Sequence, residues 1–282
     1  MEECFYYILG LPAAGKSTFL GALYYLLMNE DGGKCELRIK HVLGDATYIG
    51  KLSDTWAEYT ELDRTNLSNK NLKTELELED NNHNVYKIKF PDSSGEKFKK
   101  MLNDRFINIE EVNEIKSANR FFLFINPQEI EEPHFITEAP EHIREENEEN
   151  VYINKKDKIP TETELVELIQ FLLYIKKDIS IKLDFVISAW DLLTNKSVKK
   201  PMEYIEKNLP LLNQYVIANN DKININCWGV SAQGGSLKNF EQRLELANKS
   251  INIGDRIIVV DNDGNKSKDI TRLFAVNQGE MK

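Results

Sequence analysis

The strongest chemical signal lies near the start of the chain, where Gly10-Leu11-Pro12-Ala13-Ala14-Gly15-Lys16-Ser17 fits the pattern G-x-x-x-x-G-K-[ST]. Each part of it suits the binding of phosphate. Gly10 and Gly15 permit backbone conformations that turn successive N–H groups, those of Ala13 and Ala14 among them, toward phosphate oxygens. A helix beginning at Lys16 presents its positive dipole end, with the amides up to Thr18, to the anion. The Lys16 ammonium reaches the β- and γ-phosphates, and the Ser17 hydroxyl is placed to ligate Mg²⁺. The context agrees, with a strand-like run Cys4 to Leu9 before the loop and apolar helix formers from Lys16 to Met28 after it. The stretch is therefore read as a nucleoside triphosphate site served by Mg²⁺.

Phosphate binding alone names neither the base nor the reaction. Thr74–Leu78 alternates polar and apolar residues, and a short polar turn joins it to Val85–Phe90. So short a connection makes antiparallel neighbours. The second strand delivers Asp92-Ser93-Ser94-Gly95, a D-x-x-G sequence. Asp92 at a strand end can hold Mg²⁺ through water, and the Gly95 N–H can follow the γ-phosphate. This arrangement resembles the TRAFAC class of GTPases, whereas a typical P-loop ATPase carries Asp-Glu on a parallel strand.

Two later stretches are similar to guanine-binding loops. Ser188-Ala189-Trp190-Asp191 stands where GTPases place N/T-K-x-D. Asp191 keeps the carboxylate that accepts from guanine N1 and N2, but Ala189 replaces the lysine that packs over the base. Trp190 is either an apolar substitute for that lysine or a core residue. Ser231-Ala232-Gln233 is similar to the S-A-K loop, whose backbone N–H supports guanine O6. For the second hydroxyl on Mg²⁺, Thr65 in Arg64-Thr65 is preferred, with Thr60 and Thr55 as competitors. Glu96 occupies the position of a water-orienting glutamine in many GTPases. A glutamate favoured by the helix dipole in a first turn would look the same.

The elements that must position these residues alternate. Strands are expected near Lys34–Val42, at the Thr74–Phe90 hairpin, and at Arg120–Ile125, Ile181–Ile187, Ile223–Val230 and Arg256–Val260. Helices are expected over Ala46–Tyr59, Glu96–Phe106, Thr161–Lys177, Pro201–Asn208, Leu211–Asn219 and Leu237–Lys249. Thr161 with Glu164 reads as a capping box. The alternation implies an α/β fold with a mostly parallel sheet and helices on both faces. A single domain over 1–282 is expected. The acidic, aperiodic stretch 128–158 would be a surface insertion, either a binding arm or a solvated loop. Residues 256–282 would complete the domain with a strand or hairpin and a short helix.

With 282 residues, 41% apolar and 29% charged, the composition is that of a globular protein. A net charge of −10 argues against a nucleic-acid footprint. No apolar run approaches the roughly 20 residues that span a bilayer. Three scattered cysteines, Cys4, Cys35 and Cys227, give neither a disulfide frame nor a zinc site and suit a reducing, cytoplasmic setting.

Taken together, Ile8–Leu27, Arg64-Thr65, Phe90–Glu96, Ile187–Asp191, Val230–Gln233 and the closing Arg256–Phe274 resemble the bacterial double-GTPase family of conflict and anti-phage operons. The resemblance covers nearly the whole chain. It implies a P-loop G domain with strand order 2-3-1-4-5-6 and one antiparallel strand, GTP with Mg²⁺ as ligands, and partner proteins from the same operon. A slow GTPase switch is the first expectation. A binding module without hydrolysis and an ATPase with altered base specificity are the alternatives.

Overall fold

The computed structural model describes residues 3–29, 35–44, 46–62, 74–91, 95–133, 159–177, 179–193, 198–237, 240–249 and 252–275. The strands are β1 (Glu3–Gly10), β2 (Arg38–Gly44), β3 (Thr74–Glu79), β4 (Val85–Phe90), β5 (Arg120–Ile125), β6 (Ile181–Ser188), β7 (Ile223–Ser231), β8 (Ile258–Val260) and β9 (Lys266–Ser267). The helices are α1 (Lys16–Met28), α2 (Ala46–Ala57), α3 (Glu96–Asp104), α4 (Ile109–Ser117), α5 (Thr161–Lys176), α6 (Pro201–Asn208), α7 (Pro210–Ala218) and α8 (Phe240–Lys249).

All nine strands form one sheet in the order β2-β3-β4-β1-β5-β6-β7-β8-β9. Its six central strands, β3 to β7, have the expected order. The sheet is longer than expected at both edges, and two strands rather than one run against the rest. β3 is antiparallel to β4, and β8 to β7. The β3–β4 reversal follows from a turn too short for a crossover, whereas β8 runs back along β7 after the long connection that carries α8. β2 closes one edge antiparallel to β3 and presents Arg38 and Lys40 there, charges that discourage further pairing.

Alternation of side chains across the pleat divides the core in two. Tyr7, Leu9, Phe121, Leu123, Leu183 and Phe185 pack under α3 to α7. Tyr6, Ile8, Phe122 and Phe124 face α1, α2 and the end of the described chain. Phe274 reaches back there to Phe122 and Phe19, with ring centroids 5.1 and 6.0 Å away. In β3 and β4 one face is apolar through Leu76, Leu78, Ile88 and Phe90. The other pairs Glu75 with Lys89 and Glu77 with Lys87 across the strands.

A charged pair lies inside the sheet. Asp184 of β6 is fully buried, and its two oxygens accept from Arg120 Nε at 2.9 Å and Trp228 Nε1 at 3.0 Å. Burial, with Asp184 nearby, pushes the Cys227 thiol well above its ordinary range, so this cysteine is no nucleophile.

The capping box expected at Thr161 does not form. Pro160 stands at the cap position, and the Thr161 hydroxyl accepts from the Glu131 amide at 2.8 Å. The Thr161 amide donates in turn to the Glu131 carbonyl at 3.0 Å, which ties together the two ends of the stretch read as an insertion. Glu164 instead faces α3, 3.9 Å from Lys99. Burial, helped by Glu167 and opposed by Lys99, raises its pKa. The folded state therefore binds this proton more readily than the unfolded chain, and the resulting stability is lost as pH rises. Glu164→Gln is expected to gain about 0.5 kcal/mol over wild type between pH 4.5 and pH 7.5, read from denaturant midpoints at the two pH values.

Candidate functional site

The loop between β1 and α1 has the backbone that its sequence demands. Gly10 (φ +152°), Ala13 (φ +59°) and Gly15 (φ +93°) take positive φ. A Cβ on Gly10 would stand 3.0 Å from the Phe124 carbonyl oxygen, so only glycine lets the loop turn against β5. Lys16 is buried, and its ammonium donates to the carbonyls of Gly10 at 2.7 Å and Leu11 at 3.0 Å. The N-terminus of α1 has no side-chain cap and no acidic residue in its first turn. A buried cation and an uncapped helix start together form an anion site. Ser17 and Thr18 lie half-buried in that first turn.

Neighbouring strand ends support this loop. Asn126, just beyond β5, donates its side-chain amide to the Ala13 carbonyl at 2.9 Å. Ser188 at the end of β6 lies against Gly15, where an added Cβ would meet its hydroxyl at 3.0 Å. The Ser188 hydroxyl donates to the Ile125 carbonyl at 3.3 Å. No motif announced Asn126. The available signal was its place at the carboxyl end of a parallel strand, where α/β sheets gather their ligands.

Gly95 is brought to the same place. It is buried at the start of α3 with φ +84°, and a Cβ there would lie 2.5 Å from the Leu11 carbonyl group. The glycine that closes D-x-x-G thus lies directly against the phosphate loop. Glu96 follows it in the first turn of α3 and is exposed. Asp92 and Thr65 lie outside the described residues, as does Arg64. Thr55 and Thr60, the competitors of Thr65, are turned to local partners, the carbonyls of Lys51 and Glu58.

Asp191 and Ser231, the residues expected to meet the base, come together from the ends of β6 and β7. The Ser231 hydroxyl donates to Asp191 Oδ1 at 2.5 Å and accepts from the Gly234 amide at 3.0 Å. Trp190 does not join them. It is buried in the core against Gly229, where any Cβ would collide with the indole. Of its two expected roles, Trp190 takes that of a core residue. Ala189, in the position of the missing lysine, has φ +50°. Ala232 is held from behind, its carbonyl accepting from Trp56 Nε1 of α2 at 2.9 Å.

A basic side chain completes that support. The Arg256 guanidinium lies 3.8 Å from the centroid of the Trp56 ring and 4.1 Å from that of Tyr59, and donates through Nη2 to the Trp56 carbonyl. Burial pushes its pKa down to about 10, so it stays charged at neutral pH. Nε and Nη1 have no hydrogen-bond partner among the described residues, which leaves the two aromatic faces to stabilise the charge. Gly234 (φ +82°) closes over the Arg256 backbone, where a Cβ would approach the carbonyl oxygen to 2.5 Å.

The donor set fits Mg²⁺ better than a metal caged by protein. Among the described residues no three His, Cys, Asp or Glu side chains cluster as a metal site. Ser17 offers a hydroxyl beside the phosphate loop, and Mg²⁺ takes few protein ligands, keeping water and phosphate oxygens instead. Among the described residues no helix is long and apolar enough to cross a membrane.

Several solved structures are similar to this chain. A bacterial selenocysteine-specific elongation factor, EF-Sec, is 15% identical with a TM-score of 0.35, the match covering 89% of this chain and 30% of that one. The Ski7 GTPase-like domain of S. cerevisiae, bound to GTP, is 16% identical with a TM-score of 0.42, covering 85% of this chain and 45% of its own. The small GTPase Arl6 BBS3 of Trypanosoma brucei, with the nucleotide analogue GppNp, is 8% identical with a TM-score of 0.38, covering 88% and 96%. The chain thus spans less than half the length of the first two. No curated protein matches it. The sequence profile described as Double-GTPase 1 matches residues 7–276, and the chain belongs to that family.

Proposed function

We propose that the chain is a Mg²⁺-dependent GTPase switch of the TRAFAC type that acts through partner proteins. Membership of the Double-GTPase 1 family supports GTP binding. The observation that carries the switch reading is the contact of Gly95 with Leu11, since a glycine there can follow the γ-phosphate and pass its loss to α3. Lys16 and the amides of residues 13–18 would hold the phosphates, and Asp191, Ser231 and Ala232 the guanine. Ser17, with Thr65 and Asp92, the last through water, would hold Mg²⁺, which when bound offsets negative charge on the phosphates. Bacterial anti-phage defence with partners from the same operon is the setting that the family resemblance suggests.

Glu96 favours a second reading. It is exposed at the start of α3, and its charge near phosphate would oppose the hydrolysis that a glutamine assists. On that reading the chain binds nucleotide to stabilise an assembly and hydrolyses little. Single-turnover assays with GTP and Mg²⁺ separate the two. Phosphate release within one enzyme equivalent, absent in Lys16→Ala, supports the switch, and none over hours supports the binding module.

The base assignment has its own test. A carboxylate at position 191 accepts from guanine N1 and N2, whereas an amide there can donate to the O2 of xanthine. Asp191→Asn is therefore expected to lose roughly 10- to 100-fold in GTP affinity and to gain XTP binding. Titrations of the variant with both nucleotides, and of wild type with GTP and ATP, measure it. Equal or tighter ATP binding by wild type would remove the guanine assignment.

A further inference from the structure

Trp56 and Arg256 lie far apart in sequence and belong to neither the phosphate loop nor the base motifs, yet both close on the loop that follows β7. The Ala232 carbonyl is fixed by the Trp56 indole at 2.9 Å. No peptide bond among the described residues is cis. A trans peptide is planar, so the N–H of Gln233 is aimed opposite to the Ala232 carbonyl, away from α2. The indole is itself held in place. Arg256 stacks on its ring and bonds its carbonyl, while the Arg256 backbone supports Gly234 from beneath.

We infer that Trp56 and Arg256 are positioning residues for base recognition: by fixing the Ala232–Gln233 peptide from behind, they aim the Gln233 N–H at the six-position oxygen of guanine. The inference rests on the guanine reading above. A rigid loop matters here because Ala189 has no side chain to pack over the base, so base affinity depends more on the directions of the remaining donors. Both residues would act through the loop and not on the nucleotide itself.

The test uses the full chain and four probes, GTP, 6-thio-GTP, ATP and inorganic pyrophosphate, each with Mg²⁺ in calorimetric titrations. 6-thio-GTP keeps the N1 and N2 donors facing Asp191 and replaces only the six-position oxygen with sulfur, a weaker acceptor. Wild type is expected to prefer GTP to 6-thio-GTP. Trp56→Phe keeps a smaller ring for Arg256 and deletes the donor to Ala232. It is expected to weaken GTP about fivefold, one hydrogen bond's worth, and to bring the GTP to 6-thio-GTP ratio toward one. Pyrophosphate affinity should not change. Arg256→Lys keeps the charge but cannot stack as a plane, and should shift the ratio in the same direction, which covers a failure of Trp56→Phe to fold. Variants that keep the wild-type ratio, or lose GTP and pyrophosphate affinity equally, overturn the inference. Wild type binding GTP no better than ATP would instead overturn the guanine reading beneath it.

Discussion

Lys16→Ala is expected to reduce GTP affinity by about 100-fold and to remove any phosphate release that depends on it. The ammonium is buried at the mouth of α1, already oriented by the carbonyls of Gly10 and Leu11. A charge-assisted hydrogen bond in such a site contributes about 1.5–3 kcal/mol, and contact with two phosphates makes the loss roughly 3 kcal/mol, which is the 100-fold. Without nucleotide the effect on stability should be small, about 1 kcal/mol, because what disappears are two neutral acceptors' partners at the edge of the loop. Calorimetry with GTP and Mg²⁺, alongside denaturant melts of both proteins, separates these effects. A variant that binds within threefold of wild type would show that the loop does not hold phosphate through this lysine.

Asp184→Ala is expected to cost about 3–5 kcal/mol of folding stability, a large share of the 5–15 kcal/mol of an ordinary domain. The loss comes from what is left behind. Arg120 would retain a buried charge without the Asp184 carboxylate, and Trp228 would lose the acceptor of its indole N–H. The double replacement Arg120→Met with Asp184→Leu is expected to recover most of the loss, since removing both charges removes both desolvation costs. Urea denaturation of the single and double variants measures the difference. Equal destabilisation in the two would mean that packing volume around β6, rather than the ion pair, sets the cost.

Much of the scaffold was legible along the chain. The unbroken apolar run Phe121–Ile125 of β5 can be satisfied only with both faces covered, and the five polar residues after β3 force an antiparallel return. The phosphate loop was legible because its chemistry is local: glycines, lysine and hydroxyl act from consecutive positions, and a strand and helix on either side suffice to orient them. Trp190 was open between two roles, because an aromatic after a strand serves a core or a ligand equally well in one dimension. The space over Gly229 put it in the core. The capping box at Thr161 failed for a related reason. Local spacing offered Glu164 to the helix start, but α3 brought Lys99 near it and the hydroxyl was taken by Glu131.

The sequence by itself determined that a phosphate-binding loop opens the chain, that an antiparallel hairpin delivers Gly95, and that an alternating sheet carries both, because these depend on residues close in sequence. Tertiary structure decided the rest. It pressed Gly95 onto Leu11, joined Asp191 to Ser231, and hid a charged pair at Arg120 and Asp184 inside strands that read as plain core. It also placed Trp56 and Arg256 behind the base loop. Each of these contacts joins residues separated by tens to hundreds of positions, and only the closed sheet brings them within hydrogen-bond reach.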